Sequence, residues 1–434
     1  MAWLFGHQFE MHVAKRVHSP SGSEDHLDHR RRKILACFLT AALGRDAERD
    51  TPEACGPWGK GGKLGTGCPA RHSGRPGSFS DWDDFRLAMI YDTSLAGIAP
   101  PACASSFKVV GWRDLYVMEL LEPLIFEPLY MERVWGGRRL ESVFGRKLPT
   151  GAVIGESWEL VDRLEAQSVV HNGPLRGKML HELWTDHRAE LFGGVRDSER
   201  FPLLVKILDC QEVLSVQVHP PAQTAKLLKG EPKSEMWYVA RAEPDAEIFA
   251  GLQNGVTKER FLHALEAGSV ADLLHRIPTQ EDFFISIPSG RLHAIGRGNL
   301  IFEIQQNSDT TYRVFDWNRT GLDGKPRALH IDESLQSILW DDFEPAPGAP
   351  AGERLVEDSL FQVNRLEIDA PRDALTAVDA FGVFGVLRGS VRVGTATFGP
   401  GAFFVVPHCA TNLRIEPENG TPARLIKTTL PVAC

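Results

Sequence analysis

The sequence predicts a mainly β protein of the jelly-roll or sandwich type, with small helical insertions. Three short segments, 214–220, 282–288 and 299–305, alternate between apolar and polar residues or run apolar over lengths typical of strands. A later block, 381–407, contains short apolar runs separated by Gly-rich turns. Short strands joined by tight turns favour two packed antiparallel sheets over one parallel sheet.

The composition indicates an ordinary globular chain and excludes some partners. The 434 residues are 43% hydrophobic and 24% charged, and a chain of this length can bury several cores. The net charge of −9 provides no general basic field, so we expect no nucleic-acid partner. The apolar run 34–44, which follows the basic tract 30–33, is too short to cross a bilayer, so we expect no membrane partner.

The cysteines point to a reducing compartment. There are seven of them, and no two have CxxC spacing or the regular spacing of a disulfide framework. We therefore expect a cytoplasmic protein.

Residues 1–117 differ in character from the rest of the chain. Their hydrophobic periodicity is poor, and the stretches 56–67 and 72–80 are rich in Gly, Pro and Ser. At Met118 the pattern changes to apolar segments. We interpret 1–117 as an atypical, disordered N-terminal extension; the alternative is a small domain whose fold the sequence does not reveal.

The predicted helices interrupt the strands at three places. One helical pattern covers 179–194 and a second covers 257–278, with Thr257 as its N-cap and Pro278 at its end. A third, short helix follows His330. The second pattern is the main helical insertion of the domain that contains it.

A Pro/Gly/Ala-rich linker, 344–353, separates the last block of strands. Residues 354–434 therefore form a C-terminal domain. Within it, the turns at 388–390 and 399–401 predict successive β-hairpins.

Four residues in the central region could hold a metal ion. Gln217 and His219 lie two positions apart, so on a strand their side chains point to the same face. Glu235 begins another predicted strand, and His293 follows a Pro-Ser-Gly turn. Two imidazoles, a carboxylate and an amide oxygen form a mixed nitrogen and oxygen set that suits Zn²⁺ or another divalent first-row metal. A single histidine on a strand is usually structural, but three such residues in this order favour a site.

Several motifs spread over about 200 residues carry a resemblance to a known family. In the second motif of the cupin superfamily, Pro-x-Gly-x-x-His, the matching residues here are Pro288, Gly290 and His293. More specifically, the chain resembles the bacterial branch of type I mannose-6-phosphate isomerases. The segments that carry this resemblance are VWGGRRL (134–140), IGESWEL (154–160), HNGPLRG (171–177), FPLLVKILD (201–209), LSVQVHP (214–220), EPKSEMWYV (231–239), PSGRLHAIG (288–296) and EIQQNSDTTYRVFDWNR (303–319).

The resemblance implies a cupin jelly-roll with two cupin-like halves and a set of site residues. Residues 118–343 become the catalytic domain. One Zn²⁺, or another divalent first-row ion, is held by Gln217, His219, Glu235 and His293. Arg313 and Lys233 are implied as catalytic residues, and Lys206 and Ser215 as substrate-binding residues. Lys233 stands two residues before Glu235, so on a strand the two side chains would share a face.

The implied reaction interconverts mannose 6-phosphate and fructose 6-phosphate through an enediol-type intermediate. In this acidic chain the phosphate needs local donors, which Lys206, Lys233 and Arg313 could supply. The sequence leaves the base open among a metal-bound hydroxide, a lysine whose pKa is lowered by cationic neighbours, and a carboxylate such as Asp309.

The C-terminal half is predicted to lack a metal site. The segment 401–407 repeats the Gly-x5-Pro spacing of a second cupin motif, but Asn412 stands where His293 stands relative to Pro288. The first half also departs from the pattern, because Asp282 occupies a turn position where many cupins have glycine.

Two other functions fit the same residues. A His/Glu/His set is also found in non-haem iron oxygenases, which cupins include, although Gln217 and the nearby cations argue against that function. A non-catalytic sugar-phosphate-binding protein would retain the binding residues without needing Arg313. In each case the partner is a small molecule, and we expect a monomer or a weak homo-oligomer.

Overall fold

The computed structural model describes residues 122–432, in which strands dominate and form two β sandwiches. The predicted mainly β jelly-roll architecture is confirmed. The N-terminal extension, 1–117, lies outside the described residues. None of the described helices is long and apolar enough to cross a membrane.

The first sandwich is built from a six-stranded and a five-stranded antiparallel sheet. The strands of the six-stranded sheet are, in spatial order, β1 (Leu129–Gly137), β2 (Ile154–Leu160), β5 (Leu203–Cys210), β12 (Asn299–Gln306), β7 (Glu235–Ala242) and β10 (Phe284–Ile287). The strands of the five-stranded sheet are β13 (Tyr312–Phe315), β6 (Val216–Val218), β11 (His293–Ile295), β8 (Glu247–Leu252) and β9 (Leu274–Pro278). A small hairpin, β3 (Asp162–Arg163) with β4 (Ala166–Gln167), lies beside them.

The second sandwich pairs a five-stranded with a four-stranded sheet. The strands of its larger sheet are β14 (Arg354–Glu357), β15 (Gln362–Ile368), β22 (Ala423–Thr429), β17 (Gly382–Arg388) and β20 (Phe403–Val406). The strands of its smaller sheet are β16 (Arg372–Asp373), β21 (Arg414–Pro417), β18 (Val391–Val393) and β19 (Ala396–Phe398).

The helices are short and lie in the connections between strands. They are α1 (Arg139–Phe144), α2 (Leu180–Asp186), α3 (Arg188–Leu191), α4 (Ala222–Leu228), α5 (Lys258–Ala267) and α6 (Ile331–Ser337), with 3-10 turns at Val270–Leu273 and Glu418–Gly420.

Three separate cores hold the sheets together. One core fills the space between the two sheets of the first sandwich and includes Trp135, Trp237 and Ile301. A second core, on the other face of the six-stranded sheet, joins it to the larger C-terminal sheet. Because both faces of that sheet are covered, every residue of β5 is buried, which explains why its sequence, LLVKILDC, is apolar except at Lys206 and Asp209. The third core fills the C-terminal sandwich.

The predicted helices needed correction at two of three places. The 179–194 pattern forms two short helices, α2 and α3, which meet at His187. The predicted helix 257–278 begins at its Thr257 cap, whose hydroxyl accepts a hydrogen bond from the Arg260 amide at 3.2 Å, but ends at Ala267. Gly268 takes up the left-handed conformation that stops the helix, and 274–278 instead forms β9, which pairs with β8. The short helix after His330 is confirmed as α6.

The predicted C-terminal hairpins were wrong in their turns. Strand β17 pairs with β20 and β22, whereas β18 pairs with β19 and β21, so 388–390 and 399–401 each carry the chain from one sheet to the other. The hairpin lies between β18 and β19 instead. Consecutive short strands that lie in opposite sheets both bury their apolar faces in the core between the sheets. The alternation of apolar and polar residues within a strand therefore does not show whether the next strand pairs with it in a hairpin or lies in the opposite sheet.

The predicted linker 344–353 packs against the first sandwich, since the Gly348 amide donates a hydrogen bond to the Phe284 carbonyl at 2.9 Å. The division into domains at 118–343 and 354–434 stays a prediction. Asp282 does occupy a turn, with a φ of 70°, and its carboxylate accepts hydrogen bonds from Tyr238 and Arg424.

Candidate active site

Three of the predicted site residues form a row across the five-stranded sheet of the first sandwich. Gln217 in the middle strand, β6, is paired in register with His293 on one side and with Arg313 on the other. Directly opposed residues on neighbouring antiparallel strands project to the same face. The order of strands in the sheet therefore brings together residues that are far apart in sequence.

His219, Glu235 and His293 converge at one end of this row. His219 Nε2 lies 3.4 Å from Glu235 Oε2, and His293 Nε2 lies 3.6 Å from Glu235 Oε1. One potential ligand atom from each of the three residues falls within 4.8 Å of the others, and all three side chains are buried. Glu235 is the first residue of β7 in the six-stranded sheet, so the cluster lies between the two sheets.

Backbone carbonyls orient both imidazoles. His219 Nδ1 lies 2.8 Å from the Thr310 carbonyl, and His293 Nδ1 lies 2.8 Å from the Arg291 carbonyl. A carbonyl accepts only from a protonated ring nitrogen, so each ring carries its hydrogen on Nδ1 and directs the Nε2 lone pair towards Glu235. This is the arrangement that metal-binding histidines adopt.

The cluster fits a divalent metal because three of its inward atoms have no hydrogen-bond partner within the described chain. His219 Nε2 and both oxygens of Glu235 are buried without one. Burial, and then the charge of Lys233, lower the pKa of His219 to about 3. Burial opposes ionisation of Glu235, but Lys233 and His219 outweigh it and hold the pKa of this carboxyl well below its usual range. Neutral imidazole and ionised carboxylate are the protonation states that bind metals.

Gln217 lies beside the cluster. Its Nε2 is 3.3 Å from His293 Nε2, and its Oε1 accepts a hydrogen bond from Ser215 Oγ at 3.2 Å. A half-turn of the amide would exchange the two atoms and point the oxygen at the cluster. Ser215 is thus a direct neighbour of the predicted ligand.

Lys233 reaches the cluster by a route other than the one predicted. The expectation was that it shares a strand face with Glu235, but β7 begins at Glu235 and Lys233 lies in the preceding loop. Its Nζ is nevertheless 3.1 Å from Glu235 Oε2. Burial opposes its charge, but Glu235 and Glu303 outweigh burial and raise the pKa of Lys233.

The cluster adjoins a cavity of about 400 Å³ that is rich in charged groups. The residues singled out in the sequence that line it are Lys206, Ser215, Gln217, Lys233, Asp309 and Arg313. The cavity volume suits a small molecule, and the cations suit an anionic one.

Sequence reasoning missed two carboxylates of this cavity, Glu156 and Glu303. Lys206 Nζ lies 3.4 Å from Glu303 Oε1 and 3.7 Å from Glu156 Oε2. Arg133 binds both oxygens of Glu156, so Lys206 and Arg133 together outweigh burial and lower the pKa of Glu156 to about 2. Burial, and then the charge of Glu235, instead raise the pKa of Glu303.

The two carboxylates lay within quoted motifs, IGESWEL and EIQQNSD, and Glu303 is a charged residue inside the predicted strand 299–305. That pattern was the available signal, because a charge buried in a strand is rare unless it has a partner.

The described residues hold one metal-type cluster of His, Cys, Asp or Glu, the one at His219, Glu235 and His293. In the C-terminal sandwich, Asn412 occupies a turn that follows β20. The lack of a metal site in the C-terminal half stays a prediction.

The fold and the site together define a cupin-type protein with one predicted metal centre. The family model for the catalytic domain of type I phosphomannose isomerase matches residues 124–239. The chain is 45% identical over 219 residues to the mannose-6-phosphate isomerase ManA of Bacillus subtilis, covering 50% of this chain and 68% of that one. It is 42% identical over 233 residues to the mannose-6-phosphate isomerase of Streptococcus mutans, covering 54% and 72%.

Solved structures agree with these relatives. The crystal structure of the mannose 6-phosphate isomerase from Bacillus subtilis matches with a TM-score of 0.64 and 31% identity, over 71% of this chain and all of that one. The Salmonella typhimurium enzyme, at 13% identity and a TM-score of 0.55, shows the shared fold alone. The chain belongs to the type I mannose-6-phosphate isomerase family.

Proposed function

We propose that this chain interconverts mannose 6-phosphate and fructose 6-phosphate in a reaction that depends on a divalent metal. The observation that carries the proposal is the buried His219–Glu235–His293 cluster, three of whose inward atoms have no hydrogen-bond partner in the described chain, beside a cation-lined cavity. We infer the identity of the substrate from the relatives, which are named mannose-6-phosphate isomerases. A cavity without an excess of cations would not suit a negatively charged sugar phosphate.

The metal would be held by His219, Glu235 and His293, with Gln217 as the fourth ligand through its amide oxygen. We propose Zn²⁺, because a mixed nitrogen and oxygen set with neutral imidazoles suits it. A bound divalent ion would supply positive charge that polarises the substrate carbonyl and stabilises the negative charge developing on its oxygen.

The isomerisation removes a proton from C2 of the aldose and returns one to C1, while the hydroxyl proton on O2 is lost and O1 gains one. Glu303 has properties suited to carrying such a proton. Its pKa is raised, and its Oε1 accepts no hydrogen bond within the described chain, while Trp237 Nε1 donates to Oε2 at 3.0 Å. Asp309 also lines the cavity and is the alternative base.

The cations would stabilise the negative charge that develops on the substrate. Lys233 lies next to Glu235 and would act on the oxygens nearest the metal ligands. Arg313 lies beyond Gln217 in the row across the sheet and would contact the substrate directly. Lys206 would bind substrate while keeping Glu156 and Glu303 apart, and Ser215 would orient Gln217.

We also propose a cytoplasmic location and a monomer or weak homo-oligomer. Support for the location comes from Cys210 and Cys409, which are both free thiols within the part of the chain that the structure describes. The proposed working unit is the catalytic domain 118–343 with the C-terminal domain 354–434, which share a buried core.

A coupled assay of mannose 6-phosphate conversion to fructose 6-phosphate tests the function. Chelation should abolish turnover and added Zn²⁺ should restore it, whereas absence of turnover with any divalent metal would refute the proposal. His293→Ala should lose both bound metal and activity. His263→Ala, which removes an exposed histidine on α5, is the matched control and should retain both.

A further inference from the structure

The charged groups of the cavity are unevenly paired. Five cations line it, and four of them have a carboxylate within 4 Å. These pairs are Arg133 with Glu156, Lys206 with Glu156 and Glu303, Lys233 with Glu235, and Arg327 with Asp316. Arg313 has no such partner among the described residues.

The Arg313 guanidinium is therefore the least satisfied cation of the cavity. Its side-chain nitrogens donate no hydrogen bond within residues 122–432, and its Nε is buried without a partner. A guanidinium held in this way lacks the acceptors that it would have in water. It is prepared to receive an anion with several oxygens.

Arg327 is held next to this end of the cavity by a buried carboxylate. Its Nε donates to Asp316 Oδ2 at 2.7 Å and its Nη2 to Asp316 Oδ1 at 2.6 Å. This two-point contact fixes the guanidinium plane and leaves Nη1 without a hydrogen bond to any described residue.

Asp316 is shared with a second arginine. Arg319 Nε and Nη2 also donate to Asp316 Oδ1, at 3.0 and 2.9 Å. One carboxylate thus faces two guanidiniums. The charge of Arg313 adds to the excess of positive over negative charge among these side chains. Burial, and then the charge of Arg327, lower the pKa of Arg313.

The distance across the sheet from His293 to Arg313 fits a substrate that extends from one end of the cavity to the other. His293, Gln217 and Arg313 lie on three adjacent strands, which places the outer two roughly 9–10 Å apart at the backbone. In an open-chain hexose 6-phosphate the reacting carbons, C1 and C2, are at the opposite end from the phosphate. A substrate with its carbonyl end at the histidines would extend its phosphate towards the arginines.

We propose that Arg327, held by Asp316, forms with Arg313 the binding site for the phosphate group of the substrate. This inference rests on the proposed isomerase function, since it identifies which end of the cavity holds the phosphate. Arg327 is a substrate-binding residue in this scheme, and Asp316 is a positioning residue. Lys206 and Lys233, already paired with carboxylates, serve the sugar end.

The experiment compares Arg327→Gln with Arg319→Gln in the metal-loaded full chain. Both variants remove one positive charge and one partner of Asp316, but only Arg327 lines the cavity. Arg327→Gln should raise KM for mannose 6-phosphate about ten- to a hundredfold, the loss expected for one hydrogen bond to a charged group, and change kcat less. Arg327→Lys should recover part of the affinity, and Arg319→Gln should leave KM within about twofold.

Direct titration with inorganic phosphate separates this inference from the proposed function. Phosphate should bind the wild type and Arg319→Gln, and bind Arg327→Gln at least about tenfold more weakly. If the wild type isomerises the sugar phosphate but Arg327→Gln keeps its KM and its phosphate affinity, the inference is wrong and the function stands. If the wild type binds phosphate through Arg327 but does not isomerise, the function is wrong and the anion site stands.

Metal content and the thermal unfolding of each variant serve as folding controls. Should Arg327→Gln unfold or lose metal, the Arg327→Lys variant decides, because it keeps the charge but cannot make the two-point contact with Asp316. An unchanged KM in a folded, metal-loaded Arg327→Lys protein would then overturn the assignment.

Discussion

Lys206 is a buried cation between the buried carboxylate of Glu303 and the largely buried carboxylate of Glu156, and removing its charge gives a calculable effect on stability. Its Nζ lies 3.4 Å from Glu303 Oε1 and 3.7 Å from Glu156 Oε2, and its side chain is 5% exposed. In Lys206→Met the apolar stem is kept, whereas the charge, which lies 5.2 Å from the centre of the Trp158 ring, is lost. Glu156 still has Arg133, whereas Glu303 loses its nearest cation.

The folded variant can relieve the buried charge by protonating Glu303, which sets an upper limit to the penalty. From an ordinary pKa of 4.5, keeping a carboxyl protonated at pH 7 costs about 3 kcal/mol, at about 1.4 kcal/mol per pH unit. Lys206→Met should therefore lower the free energy of unfolding by up to about 3 kcal/mol at pH 7 through this group.

The effect must depend on pH in a defined direction. Because the pKa of Glu303 in the folded variant lies above that in the unfolded chain, the folded state binds more protons between the two values. The stability difference from wild type should be small near pH 4.5 and grow as pH rises, until pH passes the folded pKa.

Urea unfolding of the metal-stripped protein between about pH 5 and pH 8 measures this difference. Lys226→Met, which removes an exposed lysine of α4, should match wild type throughout. The double variant Lys206→Met/Glu303→Gln, in which the titrating carboxyl is gone, should lose the pH dependence. A single variant whose stability difference is constant with pH would refute the reasoning.

Two further predictions concern a buried ion pair and the metal. Arg146→Ala should lower the free energy of unfolding by about 3–5 kcal/mol, because Glu159, 2.7 Å from Arg146 and buried beside the C-terminal sandwich at Gly401, would lose its partner. Arg138→Ala, whose pair with Glu141 is exposed, should cost at most about 1 kcal/mol in the same denaturant titration. Free Zn²⁺ at a hundred times its Kd should raise the free energy of unfolding by about 2.7 kcal/mol, and no such rise should occur in His293→Ala; a rise in that variant would place the ion elsewhere.

The architecture was predictable because its signals are local. Period-two alternation, short strand lengths and Gly-rich turns each depend on a few neighbouring residues, and they indicated a β sandwich from the sequence. The cap of α5 at Thr257 was readable for the same reason. The end of α5 was not, because β9 is a strand only through its pairing with β8.

The candidate metal cluster was also nominated by the sequence, since Gln217-x-His219 and the later Pro-Ser-Gly turn are compact motifs. The structure brings His219, Glu235 and His293 together, and their role as ligands stays a proposal. Lys233 shows the limit of reasoning from local sequence. Contrary to the prediction, it does not lie on the same strand as Glu235, but its side chain contacts Glu235 from the preceding loop.

By itself, the sequence determined the β class, the family resemblance and the residues that could hold a metal, because residue type and short spacing encode these properties. Only the tertiary structure decided which cations remain unpaired. Glu303 on β12 pairs with Lys206 on the neighbouring strand β5, 97 positions earlier in the chain, and Asp316 faces two arginines at once. Such pairing depends on sheet order and on burial, which strengthens charges by removing water, and neither property is encoded in any local pattern.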